Sequence, residues 1–166
     1  MDTELIVVRL IHIVPGTLWV GMSVFAAFIL EPRLKVLGPE LAAETSRSIN
    51  KIMGPILTIL GLVTIGAGFS LLVRTDGRDS SELFDSGWGW AIGIGVVAAM
   101  VSFILGFATG AIAIRVGRIR SAGGDSPTPE QESELARLSG LLSLSGKVAS
   151  VGTVIAVGAM ASARFV

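Results

Sequence analysis

The stretch LIHIVPGTLWVGMSVFAAFIL, residues 10–30, holds no acid and no base other than His12. A helix needs ~20 mainly apolar residues to cross a ~30 Å hydrocarbon core. This stretch meets that length, and its apolar pattern begins earlier, near Leu5. Three further runs follow: Ile52 to Val73, Gly87 to Ile114, and Val148 to Ala163, the last extended backwards to Leu138 across Lys147. Only helices and closed barrels satisfy their own backbone hydrogen bonds in lipid. Runs this long and continuous are not barrel strands. The expectation is all-α: a polytopic membrane protein forming one four-transmembrane-helix bundle over residues 1–166, with spans near 4–30, 53–74, 87–117 and 130–163.

Composition agrees. Apolar residues make up 51% of the 166, charged residues 16%, and the formal net charge is zero. A soluble domain is roughly 45–50% apolar even with glycine counted; here 21 glycines come on top. Mean hydropathy is +0.75. No basic tract invites nucleic acid, so the expected surroundings are the lipid bilayer. The absence of cysteine excludes disulfides, thiolate metal sites and thiol catalysis. Tyrosine is absent too, which leaves any aromatic belt to Trp19, Trp88, Trp90 and the phenylalanines. A secretory signal fits the start of the chain poorly. Asp2 and Glu4 replace the usual basic residues, the apolar run is too long, and no small-x-small site follows. The first helix is expected to be a permanent span.

The connectors carry their own signals. Gly38-Pro39-Glu40 opens a short polar helix, 39–51, with Pro55 as a kink at the entry to the second span. Residues 75–86 read as a turn-rich acidic loop and 121–127 as a flexible loop. Thr128-Pro129-Glu130-Gln131 is a capping-box signature, so the fourth helix begins in water. Arg33, Lys35, Arg47 and Lys51 surround the first connector; Arg115, Arg118, Arg120 and Arg137 surround the third. The second has Arg74 and Arg78 against Asp76, Asp79, Glu82 and Asp85. Lysine and arginine favour the cytoplasmic side. Both termini are therefore expected outside, in a bacterial inner membrane.

Helices in lipid associate through close contact of small residues. Gly54, Gly61 and Gly68 recur every seven residues in the second span. Gly89xxxGly93 and Gly106xxxGly110 mark the third, and Gly146, Ser150 and Thr153 the fourth. Such faces suit a tight bundle. They also suit a homodimer or membrane-complex seam, or the wall of a flat cofactor cleft.

At about 100° per residue, Leu5, Arg9, His12, Gly16, Trp19, Ser23 and Leu30 share one side of the first helix. That side should face the bundle interior, since ionisable groups rarely face lipid. His12 is either a structural imidazole, hydrogen-bonded to a neighbouring helix, or a ligand to haem or a metal. Arg9, one turn outward, suits a propionate or another anion. Pro15 frees a carbonyl one turn back and opens a kink beside the site. Lys147, the ammonium that interrupts an apolar span, is either buried or snorkels to the headgroups. Met160 and Met100 lie at depths compatible with His12, and Met22 and Met53 lie nearer the basic side; thioethers are soft ligands for haem iron or copper, or simply core filler. No paired carboxylates, nucleotide loop, metalloprotease motif or serine triad is present, so a hydrolase is not expected.

The segment from His12 through Pro15-Gly16, Trp19 and Gly21 to Pro32-Arg33-Leu34 resembles the opening helix of CopD-type copper-resistance membrane domains. It also resembles an uncharacterised four-helix bacterial family related to them, and HemJ-type protoporphyrinogen oxidases. Ile52-Met53-Gly54-Pro55 is similar to the second-helix entry of the HemJ type. The resemblance covers about residues 8–73 and beyond that only the helix count. It implies a four-helix membrane fold, with haem at His12 by one relation and copper handling by the other. The HemJ type has a lysine early in its third helix; here Gly87-Trp88-Gly89-Trp90 leads into Ala91-Ile92-Gly93 with none. Oxidase activity therefore does not carry over with the resemblance. Three functions remain: b-type haem on His12 in a redox or accessory role, copper handling through His12 with Met100 or Met160, and a structural subunit without ligand.

Overall fold

A computed structural model describes residues 3–74, 85–123 and 128–166, and among these there are four long helices and no strand. The first helix, α1, covers Thr3–Leu34. Its α geometry runs from Thr3 to Phe25, through Pro15 without interruption. A departure from α geometry comes at Ala26–Leu30, one turn of π-helix, where the Glu31 N–H donates to the Ala26 carbonyl five residues back. A final α turn, Glu31–Leu34, ends the helix.

The second helix, α2, is a single element, Pro39–Val73. The short polar helix expected at 39–51 is its first third, not a separate piece. Glu, Lys, Arg and Ala are good helix formers, so the chain stays helical where hydropathy falls. Hydropathy marks the depth of the membrane, not the end of the helix. Gly38, at φ +81°, turns the chain into this helix. Pro55 lies inside it.

The third helix, α3, spans Gly87–Gly123, so residues 121–123 extend it rather than opening a loop. The fourth, α4, spans Pro129–Ser162 and ends in a 3-10 turn, Ala163–Phe165. Its capping box is formed: the Gln131 N–H donates to the Thr128 hydroxyl at 3.3 Å, and the Thr128 N–H to the Gln131 side-chain oxygen at 2.9 Å. The acidic connector, residues 75–84, and residues 124–127 lie outside the described residues.

The helices form two hairpins, α1 with α2 and α3 with α4, and α1 also lies along α4. Packing is inverted relative to a soluble bundle. Ser102, Ser150 and Thr153 are almost completely buried, whereas Leu10, Ile59 and Phe107 are 54%, 60% and 69% exposed. Small and hydroxyl-bearing residues hold the helices together and large aliphatic ones point outward, as lipid solvent demands. Exposed apolar surface this continuous is not tolerated in water. The protein is a multi-pass integral membrane protein.

The central cluster joins Trp19, Ala99 and Ala156, with Leu57, Leu60 and Phe103 against it. Trp19 meets Phe103 edge-on, with ring centroids 6.1 Å apart. At ~1.5 Å per residue, the 35 residues of α2 measure ~52 Å, well beyond a ~30 Å hydrocarbon core. The excess of α2, α3 and α4 projects at one end, the basic one. There Arg115 pairs with Glu134, and Lys35 with Glu31 at 2.8 Å. At the opposite end Arg74 reaches Glu4 at 3.4 Å and ties α1 to α2.

Candidate functional site

His12 sits on the seam between α1 and α2. Three residues of α1 meet three of α2 in antiparallel register: His12 opposite Gly68, Gly16 opposite Thr64, and Trp19 opposite Gly61. The spacings match, four residues and then three on each helix, so both rings meet a glycine. A Cβ at Gly68 would lie 2.8 Å from the His12 Cε1 and 3.0 Å from Nδ1. One at Gly61 would lie 2.7 Å from the Phe103 ring and 3.3 Å from the Trp19 indole. Gly54, the third member of the heptad stripe, faces open space. The glycines expected to permit close helix contact thus do so at two of three positions, by seating aromatic rings.

The His12 Nδ1 lies 2.7 Å from the backbone carbonyl of Thr64. A carbonyl oxygen only accepts, so Nδ1 carries the proton. In the neutral ring the Nε2 lone pair is then the one left available. A carbonyl partner on one ring nitrogen is how proteins fix the tautomer and orientation of a ligating histidine. It is equally how a structural histidine ties two helices. The Thr64 hydroxyl beside it is buried with no hydrogen-bond partner among the described residues.

The other candidates are distributed. Trp19, 7% exposed, shares the seam with His12. Arg9 is exposed one turn outward and has no ion pair among the described residues. Met160 lies on a different seam, between α3 and α4, where its side chain fills the space over Gly95. Met100 is half-buried on α3 beside Ala99 of the central cluster. Among the described residues no three His, Cys, Asp or Glu side chains cluster as metal ligands do.

Lys147 is half-buried and belongs to a polar group that the sequence reading did not assemble. The Glu31 carboxylate is held by Lys35, faces the Ser143 hydroxyl and is attracted by Lys147. Ser139, Ser143 and Lys147 recur every four residues, on one face of α4. That spacing was legible. Its alignment with the end of α1 was not, since it depends on how the two hairpins dock.

Two cavities flank Lys147, of about 780 and 380 Å³, and His12 lines neither. No family model, curated protein or solved structure matches this chain.

Proposed function

We propose that this multi-pass protein of the bacterial inner membrane binds b-type haem through His12 Nε2, in a redox or accessory role without catalysis of its own. The observation that carries the reading is the 2.7 Å contact from Nδ1 to the Thr64 carbonyl. It fixes the ring by one nitrogen and leaves the other as a ligand. The resemblance of residues 8–73 to haem-binding and copper-handling membrane families supports the same residue. The donor, a single imidazole nitrogen, suits haem iron. It fits a copper centre less well, because such a site needs several soft donors. Arg9 supplies a cation one turn outward for a propionate. Haem bound there would supply one-electron redox chemistry, with Met160 and then Met100 as the candidates for a second ligand.

A second reading is favoured by the seat at Gly68: His12 clamps α1 to α2 and holds no ligand. The absorption spectrum of protein purified in mild detergent and supplied with excess haem separates the two. We expect a Soret band that responds to reduction, is lost in His12→Ala, and is weakened but retained in Arg9→Gln. No Soret band in the wild type eliminates the haem reading. Copper bound to the same sample and lost in His12→Ala then favours copper handling. No metal at all leaves the clamp.

A further inference from the structure

We infer that the groove between α3 and α4 is a binding seat for an anionic phospholipid, with its phosphate at Lys147. The two cavities meet at that residue, and they differ in character. The larger is an open, apolar trough walled by Val97 and Val101 of α3 and by Val151 and Ile155 of α4. The smaller is a polar cup formed by Lys35, Ser139, Ser143 and Lys147. An apolar trough running into a cationic cup matches one class of molecule, an amphiphile with an anionic head.

The trough has the dimensions of a lipid tail. Its α4 wall runs from Lys147 to Ile155, ~12 Å at ~1.5 Å per residue, and its α3 wall continues from Ser102 to Trp90, near the start of that helix. A tail whose head is at Lys147 therefore runs away from the basic end, toward the middle of the bundle. The inside is smooth for a physical reason: Gly93 and Gly152 line it, and the Ser102 hydroxyl is turned onto the Ala98 carbonyl at 2.7 Å. Phe28, on the π turn of α1, reaches the trough from a third helix. Single π turns inside α-helices occur often at functional sites, because they re-aim side chains.

The charge at the head end is complementary to one phosphodiester. Glu31 and Lys35 neutralise each other at 2.8 Å. Lys147 adds a positive charge in excess and Ser139 a hydroxyl donor, while the Ser143 hydroxyl is engaged by Glu31. Lys147 shares the cup with Lys35, which follows the final, basic-end turn of α1. That places it toward the basic end, where Arg115 and Glu134 pair. The lipid therefore comes from the leaflet on that side. An ammonium on a flexible stem reaches headgroup depth from such a position, and a phosphate there meets it through charge-assisted hydrogen bonds. The seat is independent of His12, which lines neither cavity.

The test uses full-length protein delipidated in detergent and titrated with phosphatidylglycerol or phosphatidylcholine of the same chain length. Native mass spectrometry counts the bound lipid, and thermal unfolding gives a second readout. Phosphatidylglycerol should bind in preference and raise the melting temperature. Lys147→Gln should weaken it about tenfold and abolish the preference. Val151→Trp fills the trough from a position 48% exposed, so the bundle still folds; binding of both lipids should fall. Inorganic phosphate at millimolar concentration should not compete. Equal binding of the two lipids, a preference that survives Lys147→Gln, or retention of lipid in Val151→Trp would overturn the seat. Competition by free phosphate would assign the cup to a soluble anion instead. Loss of lipid binding on dimerisation, with cross-links across the trough, would assign the groove to a second copy.

Discussion

Burying an imidazole among apolar helices is unfavourable unless its N–H finds an acceptor. His12 finds the Thr64 carbonyl, and it reaches that carbonyl because Gly68, one turn further on, has no side chain. The stripe of Gly61 and Gly68 was legible as close-approach positions. Which rings would occupy them was not, since a backbone carbonyl has no sequence signature and register between helices is a tertiary property. The seat makes a direct prediction. Gly68→Ala places a Cβ 2.8 Å from the ring and must move it off the carbonyl. Overpacking of this kind typically costs ~1–3 kcal/mol, and we expect that loss in detergent unfolding. In a His12→Ala background the same substitution should cost nearly nothing, because the ring is gone. Gly66→Ala, where nothing lies within 4 Å, should be neutral or slightly stabilising. Equal costs for Gly68→Ala with and without His12 would separate the glycine from the histidine.

At the scale of elements, the number and order of helices were readable from apolar runs, and the start of α4 from its capping box. The lengths of α2 and α3 were not, because the polar first third of α2 and the basic last turns of α3 stay helical where hydropathy falls. The π turn at Ala26–Leu30 was also hidden, since AAFIL has no residue that demands it. The seams themselves were partly visible. Gly61 was expected on a buried stripe, and it accommodates Phe103 and Trp19 at the centre of the bundle. Leu62, its neighbour, is 57% exposed and faces lipid. Gly61→Leu should therefore lower the melting temperature in detergent sharply, by separating α2 from α1 and α3. Leu62→Ala should leave it almost unchanged, because a leucine in contact with lipid or detergent loses little on truncation. The opposite ranking would mean that α2 is rotated relative to the seam described.

For the whole molecule, the two ends of the bundle are chemically unlike. At one end, helical extensions of α2, α3 and α4 carry Arg47, Lys51, Arg115, Arg118, Arg120 and Arg137. The other end has the start of α1, the end of α2, the start of α3 and the end of α4, and the sequence that joins α2 to α3 is acidic. Lysines and arginines near span ends resist translocation, whereas acidic residues contribute little to orientation. On that rule we propose that the long basic extensions lie in the cytoplasm, which would put His12 in the outer half of the membrane and the Lys147 cup at the inner leaflet. The chain has no cysteine, so single reporters can be introduced without background. Cysteine at Ser80, in the acidic connector, should react with an impermeant maleimide on intact cells. Cysteine at Ser121, an exposed position near the end of α3, should react only after the cells are opened. Labelling at 121 and protection at 80 would invert the protein. It would also move His12 toward the cytoplasm and turn the Lys147 cup to the outer leaflet, so this one measurement sets which side of the membrane the proposed haem ligand and the proposed lipid seat each face.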